Sequence, residues 1–356
     1  MKKRLALLLA GVLAVSSLAA CGNNGGNNNG GNADAKVNVG LGLNTSFYSA
    51  ADATADAKGN AQADLTVAAV TVDPTTGKIV AVDFECIQVK TFFDATGTIT
   101  ADTPTEFTTK TELGDKYNMK GTSAGIGKIE GGAEWYEQAA HLEKMCANKT
   151  LEEVKAFVAA DGKPVNEEVL AGCTMTISGF VVALEKAYNE AKEGKYTANA
   201  SDKLSVGIVA EVSGPASATA EKAGAATAYA NFVAVTTTAE GKISACILDS
   251  VQAKFAWDTT GKITSDKVTD TTTKYDLKEA YGMKDKSASN GVIAEGGEWY
   301  EQADHFMSLA KDKTLAEVNA FAMDADGYPT ADDMKVGCTM KIKAYIAAIN
   351  NALARK

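Results

Sequence analysis

The chain has 356 residues, with 35 Lys plus Arg against 45 Asp plus Glu and a formal charge of −10 at pH 7, room for about two domains at ~150 residues each. An acidic surface repels phosphate backbones and argues against nucleic acid as a partner, and two histidines leave little material for a multi-His metal site, so no structural metal is expected. Hydrophobic content of 46% with 22% charged residues belongs to a folded chain, and six cysteines are too few for a disulfide-built scaffold.

Lys2-Lys3-Arg4 precede an apolar run from Leu5 to Leu18, which closes on Leu18-Ala19-Ala20-Cys21. A basic start, a short apolar stretch and small residues before a cysteine are the layout of a bacterial secretory signal with a lipobox, covering residues 1–20. The run is shorter than the ~20 residues that span a bilayer. Lipidation of Cys21 by diacylglycerol supplies two acyl chains, enough for stable anchoring, and places the chain on the extracellular face of the cytoplasmic membrane. The alternative is an ordinary cleaved signal with an incidental Cys21. Residues 21–36, rich in Gly and Asn, have no side chains to build a core and read as a flexible tether.

Beyond the tether the sequence repeats. Gly132-Ala133-Glu134-Trp135-Tyr136-Glu137-Gln138-Ala139 returns as Gly296-Gly297-Glu298-Trp299-Tyr300-Glu301-Gln302-Ala303, and Gly77-Lys78-Ile79, Asp94, Tyr117-x-Met119-Lys120 and Lys149-Thr150-Leu151 all recur at the same offset of 164 residues. One inserted residue then brings Gly172-Cys173-Thr174-Met175 onto Gly337-Cys338-Thr339-Met340. Collinear order implies tandem duplication of one domain-sized unit, at residues 37–191 and 204–356, with the polar stretch 192–203 as linker.

In each unit strands come first. Gly77-Lys78 and Gly241-Lys242 read as hairpin turns beside the β-rich runs Ile79 to Phe84 and Ile243 to Leu248, and Tyr229 to Val235 alternates as a half-buried strand should. Helices follow: Glu134 to Lys144 and Glu298 to Leu309 have helical spacing, Thr150-x-x-Glu153 and Thr314-x-x-Glu317 are capping boxes, and Ile177 to Ala191 and Ile342 to Ala354 are amphipathic. Strands then helices, without βαβ alternation, predict an α+β fold with an antiparallel sheet.

The sharpest local feature precedes each closing helix: Glu168-Val169-Leu170-Ala171-Gly172-Cys173-Thr174-Met175 and Asp333-Met334-Lys335-Val336-Gly337-Cys338-Thr339-Met340. A threonine hydroxyl can form a stable phosphodiester, glycine gives clearance, and a helix start offers unpaired N–H groups to a phosphate. The plainer reading is that Gly-Cys-Thr ends a loop and Thr caps the helix. These segments resemble the acceptor motif of FMN-binding domains, an Asp, two variable residues and Ser/Thr-Gly-Ala-Thr, whose last Thr is esterified to the FMN phosphate. With the lipobox, the tether and the repeat, the whole chain is most similar to PplA-type flavoproteins, lipoproteins of extracellular electron transfer in Gram-positive bacteria.

That resemblance implies two FMN-binding-domain-like repeats and covalent FMN on Thr174 and Thr339, attached by an ApbE-type FMN transferase that approaches over Gly172 and Gly337. It also implies a membrane quinone-linked electron donor and extracellular acceptors. Asp333 matches the acidic position and Glu168 replaces it in the first unit; Ala171 and Val336 depart from Ser/Thr, and Cys173 and Cys338 depart from Ala.

Trp135 and Trp299 can stack on an isoalloxazine ring, though packing of an amphipathic helix is the commoner use. His141 and His305, the only histidines, occupy equivalent positions, as proton-transfer partners or as satisfied helix residues. Cys86, Cys146 and Cys246 are not repeated, so free, mostly buried thiols are expected. Two further readings are a non-redox cell-surface lipoprotein that binds a ligand or partner, and a substrate-converting reductase, for which no pocket signature is visible.

Overall fold

The computed structural model describes residues 35–266, 271–289 and 291–355. The leader, Cys21 and the tether up to residue 34 lie outside them. The first half carries β1 (Lys36–Ser46), β2 (Gly59–Val72) and β3 (Ile79–Phe93), then α1 (Lys110–Leu113), α2 (Lys120–Ile126), α3 (Trp135–Cys146), α4 (Leu151–Lys155), α5 (Glu167–Leu170) and α6 (Ser178–Glu193). After a short β4 (Tyr196–Asn199) the same order recurs as β5 (Lys203–Ala216), β6 (Gly224–Thr237) and β7 (Ile243–Trp257). The helices α7 (Lys274–Leu277), α8 (Lys284–Ala288), α9 (Trp299–Ala310), α10 (Leu315–Asn319), α11 (Asp332–Lys335) and α12 (Lys343–Ala354) complete it.

The architecture is mixed α+β. Two antiparallel sheets, ordered β3-β2-β1-β4 and β5-β6-β7, pack face to face, β3 lying against β5 and β4 against β7. Helices α3 and α6 cover the outer face of the first sheet, α9 and α12 that of the second. Period-two alternation sorts each strand between two apolar layers. In β6, Ala230, Phe232 and Ala234 enter the core shared by the sheets, whereas Val233 and Val235 enter the core under α12. The expectation of a half-buried strand from Tyr229 to Val235 is therefore corrected. Ala230 to Val235 are all buried because a sheet covers one face and a helix the other.

The outer helices sit very close to the sheets. A Cβ on Gly42 would lie 2.2 Å from the Ala183 carbonyl oxygen of α6, and one on Gly207 would lie 2.1 Å from that of Ala348 in α12. Small residues in strand and helix thus let backbone meet backbone. Residues 192–203 include the end of α6 and β4, which pairs antiparallel with β1. The halves also grip each other through side chains: the Trp257 ring stacks on Phe93 at 4.5 Å and its indole N–H donates to the Gly97 carbonyl. Arg355 pairs with Asp83 at 3.0 Å.

Candidate functional site

Each repeated Glu-Trp-Tyr-Glu-Gln segment opens a helix; its first glutamate holds the start of α2 or α8, and its glutamine holds the loop that carries the threonine. The Glu134 carboxylate caps α3 and accepts the N–H groups of Met119 and Lys120; Glu298 does the same for α9, Met283 and Lys284. One turn on, the Gln138 amide donates to the Ala133 carbonyl, and its oxygen accepts both the N–H of Thr174 (2.9 Å) and its hydroxyl (3.2 Å). Gln302 holds Thr339 identically, at 2.8 and 3.1 Å. One turn further, His141 Nε2–H donates to the Glu168 carbonyl and His305 Nε2–H to that of Asp333.

Glycine in the motif serves these rings. A Cβ on Gly172 or Gly337 would lie 2.3 Å from Cγ of His141 or His305, and neither glycine has a positive φ. The histidines are therefore satisfied packing residues of the motif. Cys173 and Cys338 are fully buried beneath it, and burial pushes their thiols up to about 11 and about 12. All five cysteines among the described residues are free and buried, as expected from the absence of Cys86, Cys146 and Cys246 from the matching positions of the other half.

The motif does not start a helix. Its acidic end lies in α5 or α11 and its Gly-Cys-Thr-Met end in the loop that follows, before α6 or α12, and the residues capping the long helices are Ile177 and Ile342, which supply no side-chain bond. The reading of Thr174 or Thr339 as a helix cap is thus corrected: their hydroxyls are occupied by glutamine, several residues before the helix begins. Glu168 and Asp333, in α5 and α11, meet the histidines of α3 and α9 through their carbonyl oxygens.

The two halves diverge at the threonine. Thr174 is 8% exposed, while Thr339 lines a cavity of about 870 Å³, within the range of small-molecule sites. Trp299, Tyr281, Tyr229 and Lys274 form part of its wall, and Lys286, Lys341 and Lys343 line it as well. Trp135 is buried against Phe180 in the first core, and the counterpart Trp299 is equally buried but reaches the cavity wall. Tyr117 and Met119 pack on the first core; Tyr281 and Met283 also border the cavity. A wall of flat aromatic groups, hydroxyls and four amines against the two carboxylates of Glu211 and Asp326 suits a planar, anionic ligand, and FMN has that chemistry.

Sequence reasoning missed Gln138, Gln302, the buried Lys274 and its half-buried counterpart Lys110. The lysines had a signal: Thr109-x-x-Glu112 and Thr273-x-x-Asp276 are repeated helix starts, and the threonines do cap α1 and α7. Among the described residues no cluster of three or more His, Cys, Asp or Glu is placed to hold a metal, and no helix is long and apolar enough to cross a membrane. Comparison with protein-family models, with curated proteins and with solved structures finds no match to the chain.

Proposed function

We propose that the chain is a lipid-anchored electron carrier on the extracellular face of the cytoplasmic membrane, with FMN attached through phosphate to Thr339 and, in the first half, to Thr174. The observation that carries this reading is the placement of Thr339, the acceptor position of the motif, in the wall of an aromatic and lysine-lined cavity. When bound, FMN supplies one- and two-electron redox chemistry. The chain's own residues do the rest: Gln302 orients Thr339, His305 braces the loop from Asp333 to Gly337, and the lysines offset the phosphate charge.

The recurring element order and the mirrored hydrogen bonds support a tandem duplication of an FMN-binding-domain-like unit. The lipobox at Cys21 supports the diacylglycerol anchor. An ApbE-type transferase is the modifying partner, and a membrane quinone-linked dehydrogenase the donor for extracellular acceptors.

Coexpression with a flavin transferase followed by intact-mass measurement tests the reading. One FMN adduct on Thr339 is expected first, because Thr174 is the more buried, and a second at higher occupancy. Thr339→Val should remove the first adduct without unfolding the chain. Absence of both adduct and visible absorbance overturns the carrier. A second reading, a non-redox surface protein that binds a ligand or partner, draws on the glutamine bonds that occupy both hydroxyls and on the burial of Thr174.

A further inference from the structure

We infer that the second-half cavity selects a planar aromatic anion, with the buried ammonium of Lys274 as its counter-charge, and that the first half does not share this selectivity. Lys274 is only 6% exposed, and its Nζ donates to the Tyr229 hydroxyl at 3.0 Å. The faces of Tyr229, Tyr281 and Trp299 surround it at 4.5, 4.9 and 5.7 Å. Among the described residues no carboxylate forms an ion pair with it. Ring faces return about 0.5–2 kcal/mol, whereas burying an ammonium costs several. Burial accordingly pulls Lys274 down to about 8, against the pull of Asp249, whose own carboxyl burial raises to about 7. An anion entering the cavity supplies the missing charge.

The rest of the wall points the same way. Lys274, Lys286, Lys341 and Lys343 line the cavity against Glu211 and Asp326, an excess of cations in a chain whose overall charge is −10. Besides these, Tyr229, Tyr281, Tyr328 and Tyr345 are the titratable groups of the wall, with Asp249 near the amine. In the first half Lys110 keeps the aromatic company of Tyr117 and Trp135. Its strand neighbour is different, however: Ser46 pairs with Asp64 where Glu211 pairs with Tyr229. Thr122, Thr176 and Ser178 stand at the places of Lys286, Lys341 and Lys343. Burial works against the Lys110 charge too, but Cys86, Tyr117 and Asp64 outweigh it and hold that amine above its ordinary value.

This inference rests on the flavin reading only in its choice of probe. Full-length chain made without a flavin transferase is titrated with FMN and with riboflavin, following flavin fluorescence. FMN should bind about tenfold or more tightly than riboflavin, and Lys274→Met should diminish that preference several-fold while Lys274→Arg and Lys110→Met keep it. The preference should fade between pH 7 and about pH 9.5 as Lys274 loses its proton, because the FMN phosphate stays dianionic throughout. Thermal melting of each variant verifies folding. Equal affinity for the two flavins, or an undiminished preference in a folded Lys274→Met, overturns the inference. Covalent adduct without an FMN preference would refute it alone, and an FMN preference without adduct would refute the covalent reading alone.

Discussion

Gly337→Ala probes whether the motif glycine exists for the histidine ring. The added Cβ would sit 2.3 Å from His305 Cγ and 2.4 Å from Nδ1, where ordinary carbon contacts lie near 3.5–4.0 Å. The ring must therefore retreat by more than about 1 Å, and in doing so it loses its 2.7 Å bond to the Asp333 carbonyl. Overpacking costs about 1–3 kcal/mol and the lost hydrogen bond about 0.5–1.5 kcal/mol. Because His305 is half-buried and can swing outward, the sum should fall near 2–3 kcal/mol, a sizeable part of a typical total stability of ~5–15 kcal/mol. Urea unfolding of Gly337→Ala, His305→Ala and the double variant separates the terms. With the ring gone the alanine should cost almost nothing, giving a coupling of at least about 1.5 kcal/mol. Equal cost in both backgrounds would refute the packing argument and return the glycine to clearance for a modifying enzyme.

The sheet–helix contacts make a steeper prediction. Gly207→Ala would drive a methyl to 2.1 Å from the Ala348 carbonyl oxygen and 2.5 Å from the Ala352 nitrogen; backbone atoms cannot swing away, so a loss above ~3 kcal/mol is expected in urea unfolding. Gly125→Ala, with nothing within 4 Å in α2, should be neutral or stabilising by about 0.5–1 kcal/mol, and similar costs for the two would refute the close-approach account. The third prediction concerns pH. Burial pushes the Glu190 carboxyl up to about 8, although it accepts the Leu41 N–H. An acid whose folded value is raised keeps its proton in the folded chain after the unfolded chain has lost it. Stability therefore falls as pH rises from about 4.5 toward 8 and levels off above. Glu190→Gln keeps an acceptor and removes the titration. It should flatten that slope and gain on the order of a few kcal/mol at pH 8; an unchanged slope would refute the assignment.

What the sequence made legible was what local chemistry determines. The capping boxes at Thr150 and Thr314 and the long helices α3, α6, α9 and α12 follow from spacing and caps, and the structure places them there. β1 escaped notice although Val37, Val39, Leu41 and Leu43 alternate, because Gly40 and Gly42 weaken its strand propensity. Those glycines make sense only with α6 in place, a contact about 140 residues away in sequence. The motif was visible as a pattern, but its division of labour was not: that Gln138 and Gln302 hold the threonines depends on where a helix started by Glu134 or Glu298 lays its next turn. The sequence also showed the threonine as a helix neighbour, and only the loop geometry separates it from the cap.

The divergence of the halves is more informative than their likeness. Features that build the threonine loop are present in both: the glutamine, the histidine, the glycine and the buried cysteine. Features that would meet a ligand are not, since three lysines of the second-half cavity are Thr or Ser in the first and Asp64 replaces Tyr229. If the shared motif served only to cap and pack, the second-half wall would have no reason to carry three lysines that the first half lacks, in an acidic chain. The same reasoning makes Thr339 rather than Thr174 the position at which ligand chemistry should first be sought.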